Sequence, residues 1–475
     1  MREQFRKESP MISLLSLGGG GTGTALGGGA GALYPADTYW ISEASRGSWD
    51  NEYVQDLKGD NQGDIYVLSI RYSGGGTGYK TPSIVKHAVD GTVTWQKVLT
   101  KDASPYPVEA RAIGADFDGD HIYQGGQSDD GMYIAKMNKS DGTVDWTRKI
   151  DNNNSNNLPT GITIASNGNP IMMSRLYSDG DRQSYTNHNT SDGSFSSRVL
   201  VQRTNGGSSC FTSQCTPKLD ASGNLHSTVW GRQTHPDYYN GIVKHNSSLV
   251  LQSISDYQTS SPAEDLFGDV AVDSSGNKYV SFRYNTGSGN NYVGVMKLNS
   301  SDVIQWQKAA QGANYVTCEN IEVTPDESGI IMSIQDRQNQ GGSGNQMKTF
   351  IKFDLSGNVI WKRQFGITGV NLSGSAPMRL NRNGNIIFNS YFTTNSQIFT
   401  ITAQLPGDGS LTGTYTLGSR TYEWEANSLS FSSVSAWTKQ GSSVFGSTAN
   451  NSANAAYPAQ TLINNVQNFT KVTVS

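Results

Sequence analysis

The sequence predicts an all-β chain folded as a propeller of about seven four-stranded blades. Three observations lead there: a tryptophan motif that recurs roughly every 53 residues, a glycine turn that keeps the same beat, and a composition short of charge and of helical signal.

Composition sets the frame. The chain has 475 residues, of which 16% are charged and 53 are glycine. Soluble domains carry about 25% charged residues, and here Gly, Ser, Thr, Asn and Gln fill the difference. That mixture suits short strands joined by polar turns. No long stretch places apolar residues at i, i+3, i+4 and i+7, so helices are not expected.

The first marker is a lysine that closes an apolar strand, then a polar turn, then a strand bearing tryptophan. It runs from Lys86 through Gly91 to Trp95, Lys136 through Gly142 to Trp146, Lys297 through Val303 to Trp306, and Lys352 through Gly357 to Trp361. Two degenerate copies fill the long gap, with Ser197 and Ser253 at the tryptophan position, and a seventh copy ends at Gly413. The successive intervals are 51, 51, 56, 53, 55 and 52 residues. The second marker is a turn glycine before an apolar strand, at Gly63, Gly119, Gly168, Gly223, Gly276, Gly329 and Gly384, spaced by 56, 49, 55, 53, 53 and 55.

Asn-Gly, Asp-Gly and Ser-Gly steps supply the positive φ that tight hairpins need. Each repeat therefore reads as strand, glycine turn, strand, variable polar loop, strand, glycine turn, tryptophan strand. Such a unit cannot bury both faces alone, and radial stacking buries them. The glycines and Trp95, Trp146, Trp306 and Trp361 are accordingly structural positions, with the rings expected between neighbouring blades.

Residues 1–35 form a glycine-rich leader, 36–420 the propeller, and 421–475 a polar tail or an irregular extra blade, which leaves an eighth blade open. Tyr39, Trp40 and Ile41 are placed to close the ring. The tail has apolar islands at Tyr422–Trp424, Val434–Trp437 and Phe469–Val474. In the leader, the apolar run Ile12–Leu17 is shorter than a usual signal-peptide core and ends at Gly18. Its leucines, with Leu26 and Leu33, fit an assembly arm that a partner orders.

Several functions are set aside. The net charge is −4 with no basic block, which argues against nucleic acid as a partner. No run of 18 apolar residues exists, so no membrane span is expected. Of Cys210, Cys215 and Cys318, the first two are placed for a small disulfide loop or remain free thiols; the odd count excludes a fully paired set. No His-x-x-x-His, nucleophile elbow or phosphate loop occurs among the motifs. His87 and His245 both follow the repeat lysine, which marks them as equivalent positions of the repeat. Asp116, Asp118 and Asp120 alternate as calcium-loop oxygens do, but the twelfth-position glutamate is missing. No catalytic, metal or cofactor residue is therefore assigned, and the chain is read as a non-enzyme.

The Gly-x-x-x-Trp turn resembles the tryptophan-docking repeat of quinoprotein propellers in four repeats. The vicinal disulfide common in those enzymes has no counterpart, since Cys210 and Cys215 are not adjacent. The same turn resembles the sialidase Asp box, but with three residues between Gly142 and Trp146. The whole repeat, best seen at Ser275–Val280 and Lys352–Arg363, is similar to bacterial-type β-propeller repeats. With its glycine-rich leader and Asn/Ser-rich tail, the chain also resembles virion structural proteins of tailed marine bacteriophages. That resemblance implies a tail or fibre component of the virion, bound to other virion proteins and to copies of itself, and in reach of a host-surface glycan. The alternatives are a secreted propeller that binds extracellular glycan or protein, and a propeller glycoside hydrolase or quinoprotein-like enzyme.

Overall fold

A computed structural model describes residues 38–474, apart from 46–50, 73–79, 102–108, 116–118, 129–130, 151–156, 178–181, 204–208, 212–214, 233–237, 260–264, 287–290, 313–315, 338–345, 374–376, 395–396, 442–444, 451–454, 457–459 and 465–467. The leader lies outside the described residues, as do Asp116 and Asp118 and the side chain of Cys210.

The described residues form seven antiparallel sheets and no α-helix. No helix among them is long and apolar enough to cross a membrane. Each sheet is one blade, and neighbouring blades pack through their innermost strands around a closed ring. Blade 1 spans 51–101, blade 2 109–149, blade 3 158–203, blade 4 209–259, blade 5 266–311 and blade 6 316–367. Blade 7 takes its inner strands from 372–405 and its fourth strand from the other end of the chain, Tyr39–Ser45. That strand closes the ring.

Alternation along the strands explains the packing. Period-2 patterning gives each blade two apolar faces, and the buried clusters lie between blades. Leu57, Ile65 and Val67 of blade 1 meet Trp40 and Ile387 of blade 7. Ala112 and Tyr123 of blade 2 meet Ile162 and Met172 of blade 3. Cys318 and Ile321 of blade 6 meet Ala271 and Val293 of blade 5.

The described residues of 420–474 build no eighth blade. They circle the ring in the direction opposite to the blade order and add an outer strand to every blade. Arg420–Ala426 pairs with blade 6, Ser432–Ser433 with blade 5, Trp437–Lys439 with blade 4, Phe445–Asn450 with blade 3, Ala455–Ala456 with blade 2, Gln460–Asn464 with blade 1 and Asn468–Val474 with blade 7. Gly413–Leu417 pairs with Arg420–Ala426, so blade 6 has six strands.

The apolar islands of the tail anchor this strap. Tyr422 and Trp424 sink into the blade 6–7 core, and Val434, Ala436 and Trp437 into the core that includes blades 4 and 5. Leu429 and Phe431 pack on the blade 5–6 cluster, with Phe431 edge-on to Phe353 at 5.2 Å between ring centres. The fourth-strand edges are thus paired from within the chain, and the outer edges become strands of two to seven residues, the short edges that resist foreign pairing.

Candidate functional site in the central channel

Two constellations are built by the repeats, one between blades and one in the channel. The first contains the residues that the sequence singles out. In blade 1, Trp95 Nε1 donates to the Lys139 carbonyl of blade 2 at 2.9 Å, and Lys86 Nζ donates to the same oxygen at 3.1 Å. Trp146 and Lys136 share the Thr190 carbonyl of blade 3 at 3.1 Å each. Trp306 and Lys297 share the Leu355 carbonyl of blade 6 at 3.2 and 3.1 Å. Tyr66, Tyr123 and Tyr279 lie tilted against these three rings at 6.2, 6.0 and 6.3 Å. Each tryptophan thus docks on the next blade, where its partner is the glycine of the second turn.

That glycine is required. Gly142, Gly357 and Gly409 have φ of 73°, 85° and 72°. A Cβ at Gly357 would lie 3.0 Å from Trp306, and one at Gly409 2.8 Å from Trp361. Trp361 is buried but its Nε1 has no hydrogen bond. The sequence reading missed a fifth member of the set: Trp40, on the closing strand, donates to the Val89 carbonyl at 3.1 Å and covers Gly91.

The first-turn glycines do a different job. Gly63, Gly168, Gly223, Gly276 and Gly384 have φ between 76° and 83° in the hairpins that return from the innermost strands. In blade 6, Glu327 takes the left-handed conformation at φ 50°, and Gly329 instead gives room to the Phe353 carbonyl, which a Cβ would overlap. Gly119 follows residues outside the described set.

His87, His188 and His245 occupy one equivalent position at the end of the third strand, each beside a break in register. All three are fully buried. Burial depresses each to about 4, so they are neutral core residues at neutral pH. Cys215 and Cys318 are buried free thiols, and burial pushes them up, Cys215 to about 12 and Cys318 to about 11. Neither thiol is a nucleophile in that state. Among the described residues no group of three or more His, Cys, Asp or Glu could hold a metal ion.

The second constellation lies on the innermost strands. In blades 1, 5 and 6 a β-bulge at Val54/Asp56, Phe267/Val270 and Cys318/Asn320 re-aims a polar side chain. Asp56 accepts the amide of Ile113 in blade 2 at 3.1 Å, and Asp269 accepts that of Thr216 in blade 4 at 3.2 Å. Asn320 donates to Asp269 at 3.2 Å and accepts the amide of Met378 in blade 7 at 2.9 Å.

Arg379 of blade 7 ties this circuit together. Its guanidinium lies 3.3 Å from Asp56, 3.7 Å from Glu322 and 3.9 Å from Asp269, and it donates to Thr216 Oγ1 at 2.5 Å. Lys218 of blade 4 pairs with Glu322 of blade 6 at 2.5 Å. Blades 4, 5, 6, 7, 1 and 2 are joined in one polar network. Blade 3 joins by close approach instead: a Cβ on Gly161 would lie 2.7 Å from Pro217.

The charges perturb one another. Burial pushes the Asp269 carboxyl up. Burial would also push Glu322 up, but Lys218 and Arg379 outweigh it and hold the carboxyl below its usual range. Arg379 loses to burial and gains more from Asp56, Glu322 and Asp269. Lys58, half-buried on the same face as Asp56, is lowered to about 7 by burial and then by Arg379.

None of the channel residues was singled out from the sequence, yet a signal exists. Aligned on the first residue of the first turn (Asp60, Asp220, Asp273, Thr324, Asn381), the position four earlier holds Asp56, Thr216, Asp269, Asn320 and Pro377. The position two earlier holds Lys58, Lys218, Ala271, Glu322 and Arg379. Charge recurs at one phase of a strand that must otherwise be apolar.

No family model matches the chain, and no curated protein matches it. Solved structures do resemble it. A protein of unknown function from Dyadobacter fermentans shares 9% identity over 77% of this chain and 99% of its own, with a TM-score of 0.45. The Dos1 propeller shares 7% over 76% and 93%, with 0.43. A quinohemoprotein alcohol dehydrogenase from Comamonas testosteroni shares 9% over 76% of both chains, with 0.39. Likeness at this level transfers no residue role to this chain.

Proposed function

We propose that the chain is a non-catalytic structural and binding propeller, and that it serves as a tail or fibre component of a bacteriophage virion. Its partners are other virion proteins and copies of itself, and a host-surface glycan is the ligand class that the polar surface suits. The observation that supports this reading is the strap. Seven blades each carry an added outer strand, and the ring is closed from both directions at blade 7. A disc with capped edges suits a particle component that must neither aggregate nor open outside the cell. The channel carboxylates support the same reading, since Asp56 and Asp269 bind backbone amides of neighbouring blades.

The leader supplies the attachment arm in this proposal. Proteomics of purified phage particles should find the full chain, and a chain lacking residues 1–34 should fold and yet fail to enter particles. Absence of the full chain from particles, or full incorporation of the truncated one, overturns the respective part.

A further inference from the structure

Lys58 stands apart within the channel. Lys218 has Glu322 at 2.5 Å and Arg379 has Asp56 at 3.3 Å. The Lys58 ammonium has no hydrogen-bond or ion-pair partner among the described residues. It is half-buried, so a small solute can reach it.

The nearby carboxylates are already engaged. Asp56 accepts the amides of Leu57 and Ile113 as well as Arg379. Asp269 accepts the amides of Thr216 and Val270 and the side chain of Asn320. Glu322 serves Lys218 and Arg379 together. Three cations therefore face three carboxylates, two of which are bound to backbone amides. Arg379 Nε, deeply buried, also makes no hydrogen bond. The cluster balances in number, yet Lys58 is the cation that makes no ion pair within it, and it is only half-buried.

We propose that the channel floor seats a small oxyanion, a carboxylate or phosphate group, on Lys58 with Arg379 and Lys218 behind it. The inference stands apart from the virion reading, because it concerns only what the channel binds. The ease with which Lys58 loses its proton is consistent with a missing counter-ion: burial and the two cations act against the ammonium, while Asp56 and Glu322 act for it. An anion bound there would hold the proton on, so binding should strengthen as pH falls through about 7.

The test uses the full chain with inorganic phosphate or acetate, chloride keeping ionic strength constant. Labelling of Lys58 by an amine-reactive ester, followed by peptide mass spectrometry, should slow at least fivefold and saturably, with Lys149 on the outer face of blade 2 as the unaffected control. Lys58→Met should abolish the phosphate-dependent rise in Tm. No saturable protection, equal protection at Lys149, or an unchanged thermal shift in Lys58→Met means an adventitious ion only and overturns the proposal. The labelling arm needs no variant to fold. Oligogalacturonate against free galacturonate then separates the sources. Tighter protection by the oligomer places the anion on a glycan, and equal protection makes it a free solute; either result requires the site.

Discussion

The blade interfaces come in two kinds. Where Trp40, Trp95, Trp146, Trp306 and Trp361 leave one blade, a turn glycine receives them on the next. Between blades 3 and 4, and between 4 and 5, the tryptophan is replaced by Ser197 and Ser253, and the receiving glycine is replaced by Leu249 and Asp302. Those two residues keep the left-handed turn, at φ 60° and 62°. Ring and glycine have changed together, because a side chain in the turn and an indole over it cannot share the space.

What replaces the docked ring differs at the two sites. At blade 4, Leu249 turns inward and joins the core. At blade 5, Asp302 pairs with buried Lys278 at 2.6 Å and accepts hydrogen bonds from Ser255 at 2.8 Å and, through its carbonyl, Tyr257 at 2.7 Å. The strap then brings its own indole: Trp437 packs on Phe267 and Phe282 of blade 5 at 4.6 and 5.8 Å. Gln307 fixes it by donating to the Trp437 carbonyl at 2.9 Å and accepting its amide at 3.0 Å. A long-range segment supplies what the local repeat lacks.

This contrast can be tested, beginning with the strap. Deletion of 420–475 removes Trp424 and Trp437, both fully buried. Each large core aromatic is worth roughly 3–5 kcal/mol, so chemical denaturation should show a loss above about 6 kcal/mol or no folded state. Hydrogen exchange should rise first at the blade 4–5 interface, where the strap alone provides the indole. Unchanged stability would make the strap ornamental.

Next comes the ion pair. Lys278→Met leaves Asp302 buried and unpaired, and should cost roughly 3–5 kcal/mol. Lys278→Met with Asp302→Gly should recover most of it, since glycine accepts the turn. If the double variant is no better than the single one, the pair is not what replaces the docked ring.

Acid should find the buried histidines. The folded values near 4 lie below the usual 6.5, so between those limits the unfolded chain binds more protons. Stability is complete above about pH 6.5 and falls as pH drops toward 4. At about 1.4 kcal/mol per unit the limit is roughly 3 kcal/mol per histidine. His245 has no hydrogen bond at either ring nitrogen, and blade 5 has Leu298 in its place. His245→Leu should therefore flatten the acid slope by about one histidine's share with little change at pH 7, as thermal melts across that range will show.

The mildest test is a double-mutant cycle. Gly357→Leu alone should destabilise by about 2–3 kcal/mol through overpacking against Trp306 and a left-handed leucine. With Trp306→Ser already present, the same change should cost at least about 1 kcal/mol less, imitating the blade 3–4 solution. Strict additivity in urea melts would mean that the two positions do not feel each other.

The repeats were legible because their physics is local. A tight hairpin demands glycine or its like within four residues, and a docked tryptophan recurs wherever the neighbouring turn is bare. The sequence places Trp40 on the ring-closing strand, where the structure has it, but not among the docked tryptophans, because its blade is assembled from both ends of the chain and it stands outside the repeat count. The strap escaped notice for a related reason. Edge strands such as Ser432–Ser433 and Ala455–Ala456 hydrogen-bond through their backbones, which any sequence can do; only the islands around Trp424 and Trp437 hint at anchoring. The channel network is spread over six blades and appears only when the innermost strands are superposed in register.

The closing strand has a mechanical consequence. Tyr39–Ser45 lies between two antiparallel partners, with six residues registered against Trp40's neighbours in blade 7 and seven against the last strand of the strap. A pull along its axis from residue 38 would load both ladders in parallel, so they would have to shear together. The opposite end, at Val474, is held by one ladder only and would peel one pair at a time. Tension entering through the leader therefore meets both ladders of the closing strand at once, and a tether attached there would let the ring bear load without unrolling.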